Sequence, residues 1–543
     1  MSSLQASSCA RSRDLFRPPL LVGVTALCIA LGFSLYTDHR WEDYYITFRA
    51  GKNLATGHGL VFEPGERVHT FTSPFGVLLP AVASWIVGPG HDEAALWLFR
   101  IVSIAAFAGA VVLSWLSARA WEWSPLACGF LSVWLMTDAK SVDFAINGME
   151  TAFLLFFLAL TVYTLVSDPS RGGLCLGLAW AGLMWTRPDS LVYIGAIALG
   201  FWIFPNAQRM ASNRRGLSGV FLHAGLICAA FYGPWLLWAW HYYGSPIPNT
   251  IVAKSLSIPH PGLSQLVKDF LLQPLQVRYL TPGDPTFAPS YYQLGGWSIW
   301  VIRWSRFCAW LALVACFIPG VRPGGRALSV AFFVSVFYLN HAPGYPWYRP
   351  PSTWLAVFAF VAVFESLLAR SVARNAISLI LWSAVGATTL GASLALLGCS
   401  AWQLRWQQEI VEGQRRAVGE WLRAHRATPH DTVYLEPLGY IGYFSQLKML
   451  DHPGLASREV IAARRRLGHE WVPIIRELAP DWVVCRPFDP DTTDSARKAW
   501  FHDHYRLVKT FDVSPKIAAL SFLPGRGYLE FDQQFRVFHR HEP

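Results

Sequence analysis

The stretch 41–49 reads WEDYYITFR and places two adjacent acids, Glu42 and Asp43, directly after the first long apolar segment. Apolar runs of about 18 or more residues recur along the chain, as in proteins that cross a membrane several times. Carboxylates at a membrane edge are costly unless they are solvated, paired or used. The stretch therefore predicts a polytopic membrane protein whose first loop carries a site.

The residues after the acid pair predict a short helix, a Gly-rich turn around Gly57 and an extended segment that reaches Phe62. A solvated helix end would explain the acids without any function. The tyrosines that follow them, together with Phe48 and Arg49, make the setting amphipathic and favour a site over a solvated end.

Composition supports a membrane bundle, since 53% of the 543 residues are hydrophobic and only 15% are charged. About eleven apolar segments are predicted to span the membrane. A further apolar segment, Pro74–Gly88, is too short to span and predicts a re-entrant or interfacial helix within the first outside loop, 37–94. The predicted spans lie near residues 19–36, 95–117, 125–137, 151–167, 172–186, 190–205, 217–240, 297–319, 327–340, 352–369 and 375–399.

The net charge of +10 comes largely from arginines in short loops between these spans. With this assignment those loops all fall on one side, which is the positive-inside pattern. We therefore predict a multi-pass protein of the inner (plasma) membrane with a cytoplasmic N-terminus and an extracytoplasmic C-terminus. The same argument removes nucleic acid as an expected partner.

A change in composition near residue 400 predicts two domains, a transmembrane domain over 1–400 and an extracytoplasmic α/β domain over 401–543. The fold class is thus mainly α, a transmembrane helix bundle with a small α/β domain. Predicted elements of the second domain are a helix at Gln403–His425, strands at Thr432–Leu435, Trp482–Cys485, Tyr505–Phe511 and Phe535–His539, and helices near 457–467 and 470–479.

Several polar side chains are predicted on the outside face, where acids, amides and cations would converge. A carboxylate can remove a proton from a hydroxyl, and arginine or lysine can stabilise a leaving phosphate. Structural explanations also exist: Glu150 suits a helix N-terminus, Arg187 and Asp189 can pair at a helix break, and Arg349 follows an interfacial aromatic belt. The candidate site residues are Glu42, Asp43, Arg49, Glu150, Arg187, Asp189, Asn249, Lys254 and Arg349.

Several motifs resemble the C-type glycosyltransferase superfamily, and within it the group that includes the mycobacterial terminal arabinofuranosyltransferase. The first-loop pattern resembles the first periplasmic loop of that superfamily, and the other matches keep their order along most of the chain. They are 42–49, 53–68, Asn147–Thr151, Thr186–Asp189, Tyr242–Gly244, Pro248–Thr250, Ala253–Lys254, Glu436–Ser445, Asp451 and Gly454–Leu455.

The resemblance implies a polyprenyl-phosphate sugar donor, transfer outside the cytoplasm with inversion at the anomeric carbon, and a first-loop acid as general base. Two aspartates are usual there, whereas this chain has Glu42 first, so we assign the base to Asp43 and leave Glu42 as the other candidate. The implied partners are this donor, a glycan or lipid acceptor and membrane lipids. Some members bind a divalent metal beside the acid, so a metal is a possible cofactor here, and no other is predicted.

Two other functions are open from the residues. A transporter or flippase of lipid-linked sugar would place ionisable groups within spans and show pseudo-symmetric halves, and no such repeat is visible. A non-catalytic envelope scaffold would bind glycan through the outer domain, for example at Gly439–Phe444, and would tolerate changes to the first-loop acids.

Overall fold

The computed structural model of this protein describes residues 2–167, 172–205, 214–258, 261–276, 286–342, 344–372, 376–489 and 494–541. Helices form the part before residue 408, and each predicted span coincides with one of them. These helices are α1 (Ser2–Thr37), α2 (Tyr44–Ala55), α3 (Pro74–Val87), α4 (Asp92–Ala120), α5 (Pro125–Thr137), α6 (Ala139–Ile146), α7 (Thr151–Ser167), α8 (Gly172–Thr186), α9 (Ser190–Ile203), α10 (Arg214–Tyr243), α11 (Asn249–Ser255), α12 (Leu263–Gln276), α13 (Ile299–Val314), α14 (Pro323–Asn340), α15 (Pro350–Val372) and α16 (Ala376–Gln407).

Six helices in the described part of the chain are long and apolar enough to cross a membrane, or up to seven if the bent pair α6–α7 is one span. Four shorter apolar helices are α3, α5, α8 and α9. The mainly helical, polytopic membrane fold is thus confirmed. The number of eleven spans and the re-entrant path of Pro74–Gly88 stay predictions.

Local sequence explains where several helices begin. The Ser73 side chain accepts a hydrogen bond from Gly76 N at 2.8 Å, and Ser124 accepts one from Ala127 N at 3.2 Å. Proline follows each serine at the first helical position, where its missing N–H is not needed.

Most of the segment between the predicted spans 125–137 and 151–167 is the helix α6 rather than a loop. Asp138 caps that helix by accepting a hydrogen bond from Ser141 N at 2.9 Å. Such a cap stabilises a short helix that the interval between two apolar runs does not indicate. A bend of 118° then separates α6 from α7, and Gly148 provides the positive φ of 99° that the turn requires.

The C-terminal part contains a mixed five-stranded sheet with the strand order β2-β1-β3-β5-β4. The strand β1 pairs in parallel with β2 and β3, while β5 is antiparallel to β3 and β4. Four strands coincide with predicted ones, and β2 was missed because it is a short edge strand with little alternation. The elements are α17 (Gly413–His425), β1 (Thr432–Leu435), α18 (Leu438–Ser445), β2 (Lys448–Asp451), α19 (Arg458–Leu467), α20 (Trp471–Leu478), β3 (Trp482–Cys485), α21 (Ser495–His504), β4 (Tyr505–Asp512), α22 (Ser514–Ala518), α23 (Arg526–Phe531) and β5 (Gln534–Arg540).

One helical rod connects the bundle to this sheet. Helix α16 passes into a π-helical turn, Gln408–Glu412, which passes directly into α17. The predicted border at residues 400 and 401 falls inside α16, and the division into two domains stays a prediction.

The first loop packs against the C-terminal part rather than standing free. Ile46 and Phe62 belong to the same buried cluster as Val418, Ile441 and Met449. The segment predicted as extended before Phe62 contains no strand and follows an irregular path after α2. This packing fixes the acid pair between the helix bundle and the sheet domain.

Candidate active site

The acid pair is held by contacts on both sides. Trp41 N, just before the pair, donates to Asn147 O at 2.9 Å, and Asp43 O accepts from Ile46 N at 3.1 Å in the first turn of α2. The side chain of Glu42 accepts a hydrogen bond from Gly439 N in α18. A Cβ atom at position 439 would collide with the carbonyl oxygen of Glu42. The close approach therefore requires glycine at that position.

Both carboxylates are half-buried and open towards cavities. Burial raises the pKa of Glu42 well above its usual range, and the neighbouring Asp43 raises it further. Burial also raises the pKa of Asp43, although the ammonium group of Lys254 opposes this rise. A carboxylate with a raised pKa is a stronger base than an exposed one, which suits proton removal near neutral pH.

A buried ion-pair group lies at the break between α8 and α9. Arg187 Nη1 contacts Glu150 Oε1 at 2.9 Å, and Arg187 Nε contacts Asp189 Oδ1 at 2.9 Å. The guanidinium also lies 4.4 Å from the ring centre of Tyr348. These contacts fix the orientation of a cation that shares a cavity wall with Asp43.

Lys254, on α11, is surrounded by aromatic rings. Its Nζ atom lies 5.2 Å from the ring centre of Tyr345, 5.6 Å from that of Trp347 and 5.8 Å from that of Tyr348. Such rings stabilise an ammonium group without neutralising its charge. The charge thus remains able to attract an anion.

Four cavities that share wall residues lie around Asp43 and Lys254, and each has at least one of these two residues in its wall. The inner cavity contains Asp43, Glu150, Arg187 and Lys254 in its wall, together with Thr70–Ser73. The side cavity, of about 380 Å³, shares Arg187 and Lys254 with it. The apolar or aromatic walls of the side cavity are Pro188, Ile251, Ile258, Tyr338, Ala342 and Tyr348.

The aromatic cavity, of about 320 Å³, lies on the other side of the acid pair. A larger basic cavity of about 620 Å³ adjoins it and contains Lys254, His452, Arg464 and His469 in its wall. The residues around the aromatic cavity are Trp41, Glu42, Asp43, Tyr291, Gln293, Leu294, Tyr345, Trp347, Arg415, Glu436, Pro437, Arg486, Tyr528, Phe531 and Asp532.

Six of the nine predicted site residues are brought together around these cavities: Glu42, Asp43, Glu150, Arg187, Asp189 and Lys254.

Arg49 is placed elsewhere and has a structural role. Its guanidinium donates to Gly442 O at 2.8 Å, pairs with Glu63 Oε2 at 2.8 Å and stacks 4.3 Å from the ring centre of Phe62. It joins the first loop to the C-terminal domain and does not line the four cavities.

Asn249 and Arg349 are also away from the cavity walls. The side-chain amide of Asn249 donates to Gly454 O at 2.8 Å and to Leu455 O at 3.0 Å, which ties α11 to the C-terminal domain. Arg349 is buried at the start of α15, where its carbonyl accepts from Thr353 N at 2.9 Å. Asn249 therefore helps to position α11, which carries Lys254.

Sequence reasoning missed the ionic network that the C-terminal domain adds to the aromatic cavity. Arg486 Nη1 pairs with Glu436 Oε2 at 2.8 Å, and Arg415 Nη1 pairs with Glu412 Oε2 at 2.8 Å. Asp532 contacts both arginines. Arg415, Arg486 and Asp532 are far apart in sequence, so no local motif indicates that they meet.

Among the residues that the structure describes, no group of three or more His, Cys, Asp or Glu side chains is arranged to hold a metal ion. A divalent metal beside the acid pair stays a prediction.

Solved structures share this architecture. The archaeal oligosaccharyltransferase AglB from Archaeoglobus fulgidus, in complex with an inhibitory peptide and a dolichol-phosphate, aligns with a TM-score of 0.55 at 12% identity, over 91% of this chain and 73% of that one. ArnT from Cupriavidus metallidurans, bound to undecaprenyl phosphate, aligns with a TM-score of 0.53 at 13% identity, over 96% and 97% of the chains.

The chain has the fold of the C-type membrane glycosyltransferases. Sequence similarity points to the same superfamily. A protein of Mycobacterium tuberculosis named terminal beta-(1->2)-arabinofuranosyltransferase is 30% identical over 192 residues, which is 34% of this chain and 28% of the relative. A protein of the same name from Corynebacterium glutamicum is 27% identical over 252 residues, 42% of this chain and 35% of the relative.

This chain therefore matches only about a third of the length of these arabinofuranosyltransferase relatives. Residues 402–538, which follow the helix bundle of the C-type fold, match a family model described as a domain of unknown function (DUF8728). The resemblance inferred from the motifs is thus confirmed for the superfamily.

Proposed function

We propose that this protein is an integral-membrane glycosyltransferase that moves a sugar from a polyprenyl-phosphate donor to an extracytoplasmic glycan or lipid acceptor. The observation that carries this proposal is the position of Asp43, which lies in the walls of two cavities of different character. One holds cations suited to phosphate, and the other holds aromatic and polar groups. A transferase needs such a base between its two substrates.

The donor phosphate is assigned to Arg187 and Lys254. Both line the inner and the side cavity, and both are positioned before any ligand arrives. Preorganised cations stabilise charge that develops on a leaving phosphate without having to move. The side cavity, with Ile251 and Tyr338 in its wall, suits the first units of a polyprenyl tail. The lipid-bound structures of AglB and ArnT support this choice of donor class.

The proposed reaction is a single displacement. The carboxylate of Asp43 accepts the proton of an acceptor hydroxyl while the oxygen attacks the anomeric carbon of the donor sugar. The bond from that carbon to the phosphate oxygen breaks, and its electron pair leaves with polyprenyl phosphate between Arg187 and Lys254. The products are an extended acceptor of inverted configuration, polyprenyl phosphate and a proton.

Asp43 is preferred over Glu42 as the base. Asp43 faces both the inner and the aromatic cavity, whereas Glu42 lines the aromatic cavity alone. Glu42 is also bound by Gly439 N, which restrains its carboxylate. We assign Glu42 a positioning role, in which its bond to Gly439 N holds the acid pair against α18.

We further propose that the reaction takes place outside the cytoplasm, at the inner membrane, with the N-terminus inside and the C-terminal domain outside. The positive-inside distribution of the arginines supports this orientation.

The test is a transfer assay with membranes that contain the wild type, Asp43→Asn or Asp512→Asn, supplied with radiolabelled polyprenyl-phosphate sugars that include the arabinofuranose form. We expect label in glycan with the wild type and a loss of about 10²-fold or more with Asp43→Asn. Asp512 is exposed and remote from the cavities, so its variant is the matched control. Full transfer by an Asp43→Asn, Glu42→Gln double variant would overturn the mechanism.

A further inference from the structure

The aromatic cavity combines flat ring faces with hydrogen-bonding groups of both kinds. Its rings include Tyr291, whose centre lies 4.6 Å from that of Tyr528 and 6.0 Å from that of Trp41, nearly parallel to both. Across the cavity Tyr345 stacks on Trp347 with centres 4.5 Å apart. Such faces pack well against the C–H faces of a sugar ring and exclude water there.

The polar groups of the cavity decide which ligand fits. Gln293 can both donate and accept hydrogen bonds, and so can the phenol of Tyr291. The Glu436 carboxylate accepts, and its side chain is 42% exposed although it pairs with Arg486. An anion would need donors only and an ammonium group would need acceptors only. A lining with both kinds suits hydroxyl groups.

Charge in the cavity disfavours an anionic ligand. Four carboxylates line it, but only two guanidinium groups do, and both are already bound by carboxylates. A cation would have to compete with Arg415 and Arg486 for Glu436 and Asp532, which these arginines already pair with. An uncharged ligand is not repelled by the carboxylates and does not have to compete with existing ion pairs.

We propose that the aromatic cavity is the acceptor subsite and that it binds an uncharged, polyhydroxylated sugar unit between Tyr291 and Glu436. This inference rests on the proposed function, because it takes Asp43 as the base that a bound hydroxyl must reach. The C-terminal domain then supplies acceptor specificity, while the helix bundle supplies the donor site.

The subsite is tested by sugar binding without any donor. Protein in lipid nanodiscs is mixed with millimolar methyl arabinofuranoside, methyl mannoside, methyl glucuronide or methyl glucosaminide, and saturation-transfer NMR measures contact. We expect saturation of at least one neutral glycoside and weaker signals from the charged pair. Tyr291→Ala and Glu436→Gln should each reduce the neutral signal, while Tyr291→Phe should keep most of it. Phe522, 91% exposed and outside the cavity, gives the control variant Phe522→Ala.

Stronger binding of either charged sugar, no binding of any neutral one, or full binding by Tyr291→Ala would overturn the subsite. In the transfer assay described above, Tyr291→Ala should raise the KM for the acceptor about tenfold and leave the KM for the donor unchanged. An equal rise in both values would also contradict the assignment. Sugar binding without transfer from any donor would instead leave the subsite intact and count against the proposed function.

Discussion

At the scale of single residues, the site depends on electrostatic coupling between Asp43 and Lys254. Burial raises the pKa of Asp43, while the nearby ammonium group opposes that rise. The same lysine is our candidate for binding the donor phosphate. In the proposed mechanism one cation therefore stabilises two anions, the base and the leaving phosphate, which links proton removal to bond breaking.

The pH dependence of transfer should reveal this coupling. The base must be ionised, so activity falls as pH drops through the pKa of Asp43, and that limb lies above the range of an exposed aspartate. Lys254→Met removes the opposing charge, raises the pKa of Asp43 further and should move the acid limb of the profile to higher pH. Lys254→Arg keeps the charge and should leave the limb in place. The measurement is a kcat/KM profile against pH, and a downward shift in Lys254→Met would contradict the coupling.

Gly439 offers a second residue-scale prediction. An added methyl group at this position meets the backbone of Glu42, which cannot move without displacing the acid pair. We expect Gly439→Ala to lower transfer at least about tenfold, equivalent to about 1.4 kcal/mol in transition-state binding. Gly413→Ala is the control, because a methyl group there reaches ordinary contact distance only. Equal activities of the two variants would show that the close approach is unimportant.

At the scale of elements, the first loop is positioned by the C-terminal domain. Arg49 links them through Glu63 and the carbonyl of Gly442, and the Arg49 and Glu63 side chains are only 4% and 11% exposed. The loop, the short helix α2 and the sheet domain are therefore expected to unfold together rather than separately.

Breaking this link should cost stability. Arg49→Met leaves Glu63 buried without its partner, which costs about 3–5 kcal/mol for a buried pair. The melting temperature of purified protein should fall, and the double variant Arg49→Met, Glu63→Gln should recover part of the loss because no charge is left unpaired. A double variant less stable than Arg49→Met alone would contradict this account of the contact.

The sequence allowed most helices to be placed, because long apolar segments dominate their stability. It also placed the acid pair, Arg187 and Lys254 near one another, since loops on one face of a bundle converge. It misplaced Arg49, because amphipathic spacing cannot show that Glu63 would fold back onto it. The Arg415–Asp532–Arg486 network was missed because its members meet only through the mixed sheet, whose non-local pairings local patterns do not encode.

At the scale of the whole molecule, the proposed donor and acceptor sites belong to different parts of the architecture. The wall of the side cavity is formed by residues that precede position 349, whereas the C-terminal part contributes much of the wall of the aromatic cavity. In the proposed mechanism, this division lets a water-insoluble donor and a hydrophilic acceptor reach the same carboxylate.

The orientation in the membrane is a whole-molecule prediction. Phe522→Cys places a thiol at a highly exposed position of the C-terminal domain. In intact cells whose outer barrier has been made permeable, a membrane-impermeant maleimide should label it before lysis. The wild type, whose cysteine at 485 is buried, should show little labelling and serves as the control. Labelling of Phe522→Cys only after lysis would reverse the topology.

The continuous helical segment from α16 through Gln408–Glu412 into α17 determines how the C-terminal part is rotated relative to the helix bundle. An α-helix turns about 100° per residue, so one residue more or less swings everything beyond it around the rod axis. The π turn itself holds one extra residue relative to an α-helix. The length of this helical segment is therefore constrained in a way that the length of a surface loop is not. A single-residue deletion within it should rotate Glu436 away from the acid pair, with which it shares a cavity wall.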